Sequence, residues 1–247
     1  MFEAAPTLGP MTLSVFVGAA LGWLALIAAR LYAAQLQATL QPLECAEETE
    51  KLIAIPDGSS SDHHQWLREL IVGAFLGSAL AAALVLRFSI STELALAAVL
   101  TLGLLVLTVI DQRHMLLPDS LTLPLVWLGL LCNIPGYFTN LQDAVIGAVL
   151  GYGSLWIIYW LFKLVRGKEG LGYGDFKLTG ALGAWLGWQA LPGIIFTAAL
   201  VGACIGLAQV IIKKRQRDQP LPFGPFLAAA GFVVLCTGWQ GPWLLSV

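Results

Sequence analysis

Two aspartates occupy places where a chain this apolar has little reason to carry charge. Asp111 closes a long apolar run at "VIDQRHMLLPDS", and Asp175 lies within the glycine-rich stretch "GLGYGDFKL", just before another apolar run. Two carboxylates that meet at a shallow, partly dry site cannot easily both ionise. Burial and like charge raise one pKa, and the pair then holds one proton between them. That state suits peptide hydrolysis: the ionised member takes a proton from water while the protonated member donates to the substrate carbonyl. Gly170, Gly172 and Gly174 would let an extended peptide backbone approach closely and would let the chain leave helical geometry. Pro118, Asp119 and Lys177 stand beside the aspartates in sequence. Asp119 is expected as an N-cap of the helix that follows it. Lys177 is expected as a snorkelling anchor at a helix end, with substrate positioning as its alternative role.

Whether the two carboxylates meet depends on the elements that carry them. Of 247 residues, 58% are hydrophobic and 11% charged, against roughly 25% charged in soluble domains. The composition therefore indicates an all-α integral membrane protein. The net charge of −2 and the scattered basic residues give no reason to expect a nucleic-acid partner. Spans of about 20 apolar residues can be drawn near residues 11–33, 70–87, 92–110, 121–138, 143–163, 176–189, 191–212 and 224–246, a bundle of about eight transmembrane helices. The boundary between the sixth and seventh, near Ala190-Leu191-Pro192, is the least distinct. No Lys or Arg precedes the first apolar run, so that helix is expected to be retained rather than cleaved as a signal peptide.

Positively charged loops are held on the cytoplasmic side. With both chain ends outside and the spans alternating, the cytoplasmic face receives Arg30, Lys51, Arg68, Arg113, Lys163, Arg166, Lys168, Lys177, Lys213, Lys214, Arg215 and Arg217. The outer face receives only Arg87 of the 13 basic residues. A single miscounted span would destroy this asymmetry. The same topology brings Asp111 and Asp175 to one membrane face, one ending an inward helix and the other opening an outward one. Ionisable side chains at such depths are expensive and functional by default.

The domain reading is a first helix with a cytoplasmic loop over 1–69 and a membrane-embedded catalytic region over 70–247. In the loop, Glu44, Glu47, Glu48 and Glu50 form an acidic run, read as a solvated surface with attraction of a basic substrate as the alternative. His63 and His64 lack further ligands nearby, and Cys45, Cys132, Cys204 and Cys236 form no C-x-x-C pair, so no metal site is expected. Gly147 with Gly151, and Gly183 with Gly187, have the small-x-x-x-small spacing of close helix packing.

Three stretches, in order, resemble the type IV prepilin peptidases, bacterial members of the G-x-G-D intramembrane aspartyl proteases. They are D-x-x-x-x-x-x-P-D from Asp111 to Pro118-Asp119, continuing as "SLTLPLVWLGLL"; "GKEGLGYGDFKL" over 167–178; and "LPFGPFLAAAG" over 221–231. The resemblance implies that Asp111 and Asp175 are the catalytic pair of an aspartic endopeptidase. It implies that Gly172, Gly174, Lys177, Pro118 and Asp119 bind substrate or support the site. The implied substrate is a prepilin or type II secretion pseudopilin, cut after a glycine and usually before a phenylalanine, at the cytoplasmic face of the inner membrane. Proteolysis would need no cofactor, whereas the N-methylation performed by many members would use S-adenosylmethionine. The two C-x-x-C pairs of most members are missing here, where the loop has only Cys45, so methylation is not carried over on residues. Many members also have an acidic residue where this chain has Arg113. A cation there would favour an ionised Asp111 as the base and Asp175 as the acid. A transporter, or a structural subunit of a secretion or pilus machine, is the competing class. A transporter would be expected to place its charges nearer the midplane and on broken helices in matching halves.

Overall fold

The computed structural model describes residues 75–89, 91–167, 172–212 and 221–238. The expected first span, the loop with its acidic run, His63, His64 and Cys45, Gly170, the basic residues 213–217 and both chain ends lie outside the described residues. Within them the chain is helical, with no strands. In chain order the helices are α1 (Phe75–Phe88), α2 (Thr92–His114), α3 (Asp119–Cys132), α4 (Leu141–Arg166), α5 (Tyr173–Leu186), α6 (Leu191–Ile211) and α7 (Gly224–Thr237). Among the described residues, three apolar segments are long enough to cross a membrane: α2, Leu141–Val165 of α4, and Trp188–Ile211, which takes in α6.

The fold divides into two compact units, residues 1–106 and 107–247. In the first, Ser91 accepts a hydrogen bond from the Leu94 backbone N–H at 3.3 Å, which satisfies one of the orphan donors at the start of α2.

The second unit contains both aspartates and is organised around α5. This helix is buried along nearly its whole length, as expected of a helix that is apolar on every side. It packs against α3, α4 and α7. Its contact with α4 is backbone against backbone: a Cβ added to Gly183 would lie 2.1 Å from the Gly147 carbonyl oxygen, and one added to Gly151 would lie 2.5 Å from that of Thr179. On another face, Trp185 donates its indole N–H to the Leu125 carbonyl at 2.8 Å. Its ring lies where a Gly129 Cβ would be 2.5 Å from Cδ1.

The ends of the helices have local causes. Gly167, at φ +66°, closes α4, and Gly187, at φ +83°, closes α5. A short 3-10 turn, Trp188–Ala190, then separates α5 from α6, which resolves the indistinct boundary. Gly187 is thus a helix stop, and it also admits a neighbour: a Cβ there would lie 3.0 Å from Thr139 Oγ1. The fourth expected span, 121–138, is also too long, because α3 stops at Cys132. Asn133, fully buried, donates to the carbonyls of Ala184 (2.8 Å) and Trp185 (3.0 Å). It also accepts from the N–H groups of Phe138 and Thr139, each at 3.1 Å. A polar side chain in an apolar run therefore ties the α3–α4 turn to the last turn of α5. Asn133→Ala is expected to cost about 2–4 kcal/mol, since it strands several buried backbone groups; thermal unfolding of the detergent-solubilised protein measures the loss.

Candidate active site

Asp111 lies near the C-terminal end of α2, where the chain leaves helical geometry. Met115, with φ +52°, turns the backbone away, and its N–H donates to the Asp111 carbonyl at 2.9 Å. Asp175 lies in the first turn of α5, ahead of the apolar segment expected over 176–189 and outside the three long apolar helices. Both aspartates are only 5% exposed. The Asp175 carboxyl is pushed up to about 7, first by burial and second by the negative charge of Asp111. The two groups are therefore near enough to share one electrostatic environment.

A third element completes the pocket. The backbone N–H of Gly224, the first residue of α7, donates to Asp111 Oδ2 at 3.0 Å. Orphan N–H groups and the positive end of the dipole make a helix start a good seat for a carboxylate. The seat also requires glycine, since a Cβ at 224 would lie 2.7 Å from that same oxygen. Glycine at 174 has a related role. It lies inside α5, not in extended chain, and a Cβ there would come 2.5 Å from Leu117 Cβ. The expectation that Gly174 lets the chain leave the helix is corrected accordingly: it admits a neighbour. Gly172 does take the extended conformation, at φ −79° and ψ 144°, and precedes the helix.

The other expected residues fall at the rim. Pro118, also extended (φ −71°, ψ 138°), precedes α3, and Asp119 is the first residue of that helix, with no side-chain cap hydrogen bond. In place of the expected cap, the Asp119 carboxylate accepts from the Lys177 ammonium. That ion pair joins the starts of α3 and α5, with Asp119 59% exposed. Lys177 therefore has a protein partner, beyond the anchor role expected of it. Arg113 is exposed while Asp111 is buried. Residues two apart on a helix do not face each other, and the hydrogen bond that the Asp111 carboxylate accepts comes from the Gly224 N–H.

An aromatic group not picked out in the sequence braces the same end of α5. The hydroxyls of Tyr159 and Tyr173 are 3.1 Å apart, and Lys163 donates to the Tyr159 hydroxyl at 3.2 Å. Both tyrosine rings meet the buried Phe176 ring, with centroids 5.6 and 5.7 Å away. Among the described residues there is no group of three or more His, Cys, Asp or Glu side chains that could hold a metal ion.

Both aspartates lie within a segment that has known relatives. Residues 98–207 match the type IV leader peptidase family. Three similar proteins each carry the name prepilin leader peptidase/N-methyltransferase. The one from Stutzerimonas stutzeri is 53% identical over 154 residues, covering 62% of this chain and 53% of its own length. That from Aeromonas hydrophila is 56% identical over 142 residues, covering 58% and 49%. That from Pectobacterium carotovorum subsp. carotovorum is 57% identical over 138 residues, covering 56% and 50%. The chain thus spans about half the length of the curated relatives it matches. No solved structure matches the chain significantly. Over residues 98–207, which carry both buried aspartates, this chain is similar to the type IV leader peptidase family.

Proposed function

We propose that the chain is a prepilin peptidase, in which Asp111 and Asp175 together hydrolyse the bond between a short basic leader and the mature pilin or pseudopilin. The observation that carries the reading is that two buried aspartates from separate helices flank one side chain, Leu117, which lies against Gly174, the neighbour of Asp175, and against Gly224, whose N–H holds Asp111, with both aspartates inside the family-matched segment. A structural subunit has no need of such a pair, and a transporter would be expected to place its charges nearer the midplane.

In the proposed mechanism Asp111 is the base. The Gly224 N–H donates to Asp111 Oδ2, and donation to a carboxylate favours its ionised form. It takes a proton from a water molecule, whose oxygen attacks the scissile carbonyl carbon. Asp175 holds the shared proton and donates it to the carbonyl oxygen as the tetrahedral centre forms. Collapse of that centre expels the amine of the mature protein, which receives a proton from the pair. Topology and the basic-residue asymmetry favour an inner-membrane location, with the site at the cytoplasmic face.

The relatives' names also suggest N-methylation, for which S-adenosylmethionine would supply the methyl group. Among the described residues, the buried polar side chains apart from the two aspartates are Thr101, Thr122, Asn133 and Thr179. Thr101, Thr122 and Thr179 donate to backbone carbonyls of their own segments, and Asn133 is committed to the end of α5. These four side chains are committed to the fold, and no step is routed through a methyl donor.

Incubating the full chain with a prepilin and weighing the product tests the proposal. Loss of the leader is expected, and methylation would add one CH₂ to the mature N-terminus. As pH rises through about 7 the proton on Asp175 is lost, leaving two ionised carboxylates and no acid. The cleavage rate is then expected to fall by about tenfold per pH unit on the alkaline side. A product unchanged in mass at every pH contradicts the reading.

A further inference from the structure

Residues 115–118 join α2 to α3, and among them only Leu117 is buried. Its side chain touches backbone that serves both carboxylates. A Cβ on Gly174, the neighbour of Asp175, would lie 2.5 Å from Leu117 Cβ, and one on Gly224, whose N–H holds Asp111, would lie 3.3 Å from Leu117 Cδ1. At the far end of the link, Asp119 pairs with Lys177. The link is therefore fastened to α5 on both sides of Asp175, before it at Gly174 and after it at Lys177.

We propose that the segment Leu117–Asp119 is a spacer that sets the separation of the Asp111 and Asp175 carboxylates, with Leu117 as its wedge and the Asp119–Lys177 ion pair as its latch. This inference rests on the peptidase reading above. Neither Leu117 nor the latch takes part in bond making; both are positioning residues. Leu117 fills the space between the start of α7 and the first turn of α5, so shortening its side chain lets those two elements shift. A shared water must stay within reach of both carboxylates, and displacement of a reacting group by about 1 Å can cost on the order of 100-fold in rate. Leu117 is only 6% exposed, so its removal leaves the surface available to substrate intact.

Steady-state leader cleavage by the full chain in proteoliposomes tests the spacer. Leu117→Ala is expected to lower kcat by at least about tenfold while KM stays within about twofold, and Leu117→Met is expected to recover roughly a third or more of the wild-type kcat. Asp119→Ala and Lys177→Ala are each expected to lower kcat, and the double variant to fall no further than the worse single one, because either change alone opens the latch. A Leu117→Ala protein with wild-type kcat, or one whose loss lies in KM, overturns the wedge. Losses at Asp119 and Lys177 that multiply overturn the latch. Should Leu117→Ala fail to fold, the exposed Asp119–Lys177 pair and the Leu117→Met variant decide. An inactive wild-type chain overturns the peptidase reading itself, which separates that failure from failure of the spacer alone.

Discussion

An Asp175→Asn variant is expected to lose leader cleavage by about 10³-fold, within the range that a positioned acid or base contributes, and to remain folded. The change is isosteric, so the surroundings of the side chain need not move. The backbone bonds at this position are untouched: Thr179 Oγ1 still donates to the residue-175 carbonyl at 2.7 Å, and the residue-175 N–H still reaches the Gly172 carbonyl at 3.2 Å. What disappears is the proton given to the scissile carbonyl, together with a buried ionisable group that destabilises the fold when charged. Thermal unfolding measured beside cleavage should therefore show a midpoint at or above that of the unaltered protein. A midpoint well below it would mean that Asp175 serves the fold first.

Gly183→Val is expected to have the largest effect on stability. The atoms in its way are backbone, with the Gly147 carbonyl oxygen at 2.1 Å and carbonyl carbon at 2.4 Å from the new Cβ. No rotamer change relieves such a clash, so α4 and α5 must separate. Overpacking that forces backbone movement costs about 1–3 kcal/mol, occasionally more; the fully buried position places this variant at about 4 kcal/mol. Because α5 also carries Asp175, activity should fall with stability. Gly153→Ala in α4 is the matched control, with nothing within 4 Å of its new Cβ, and it is expected to gain up to about 1 kcal/mol of helix propensity. Thermal unfolding of both variants in one detergent makes the comparison.

The parts of this site visible in the sequence were those that break a membrane rule. Asp111 and Asp175 stand out because carboxylates at the ends of apolar runs are costly, and Gly147 and Gly183 because small residues at helical spacing permit close approach. The same spacing showed only part of Gly187, which admits Thr139 closely but also ends the helix at a positive φ, since spacing carries no information about φ. Gly174 was legible as important but for the wrong reason: what it accommodates, Leu117, belongs to another element. Asn133 and Asp119 show the same limit. Their partners, the Ala184 and Trp185 carbonyls and the Lys177 ammonium, lie far along the chain, and local pattern does not reveal such pairings. The Gly224 N–H is harder still, because every residue except proline has a backbone donor and only the start of a helix leaves it unused. Its one sequence signal is the stretch "LPFGPFLAAAG" in which it sits. The eight-span count and the placement of the chain ends rest on hydropathy and basic-residue asymmetry, and the structure describes neither end.

The central claim is that Asp111 and Asp175 act as one unit on one water molecule. The direct measurement is the leader-cleavage rate of Asp111→Asn, Asp175→Asn and the double variant, side by side with the unaltered protein. Groups that act as a unit are strongly non-additive, so each single variant is expected to be about as inactive as the double. A single variant that cleaves near the wild-type rate, or two modest losses that multiply in the double, would contradict the claim.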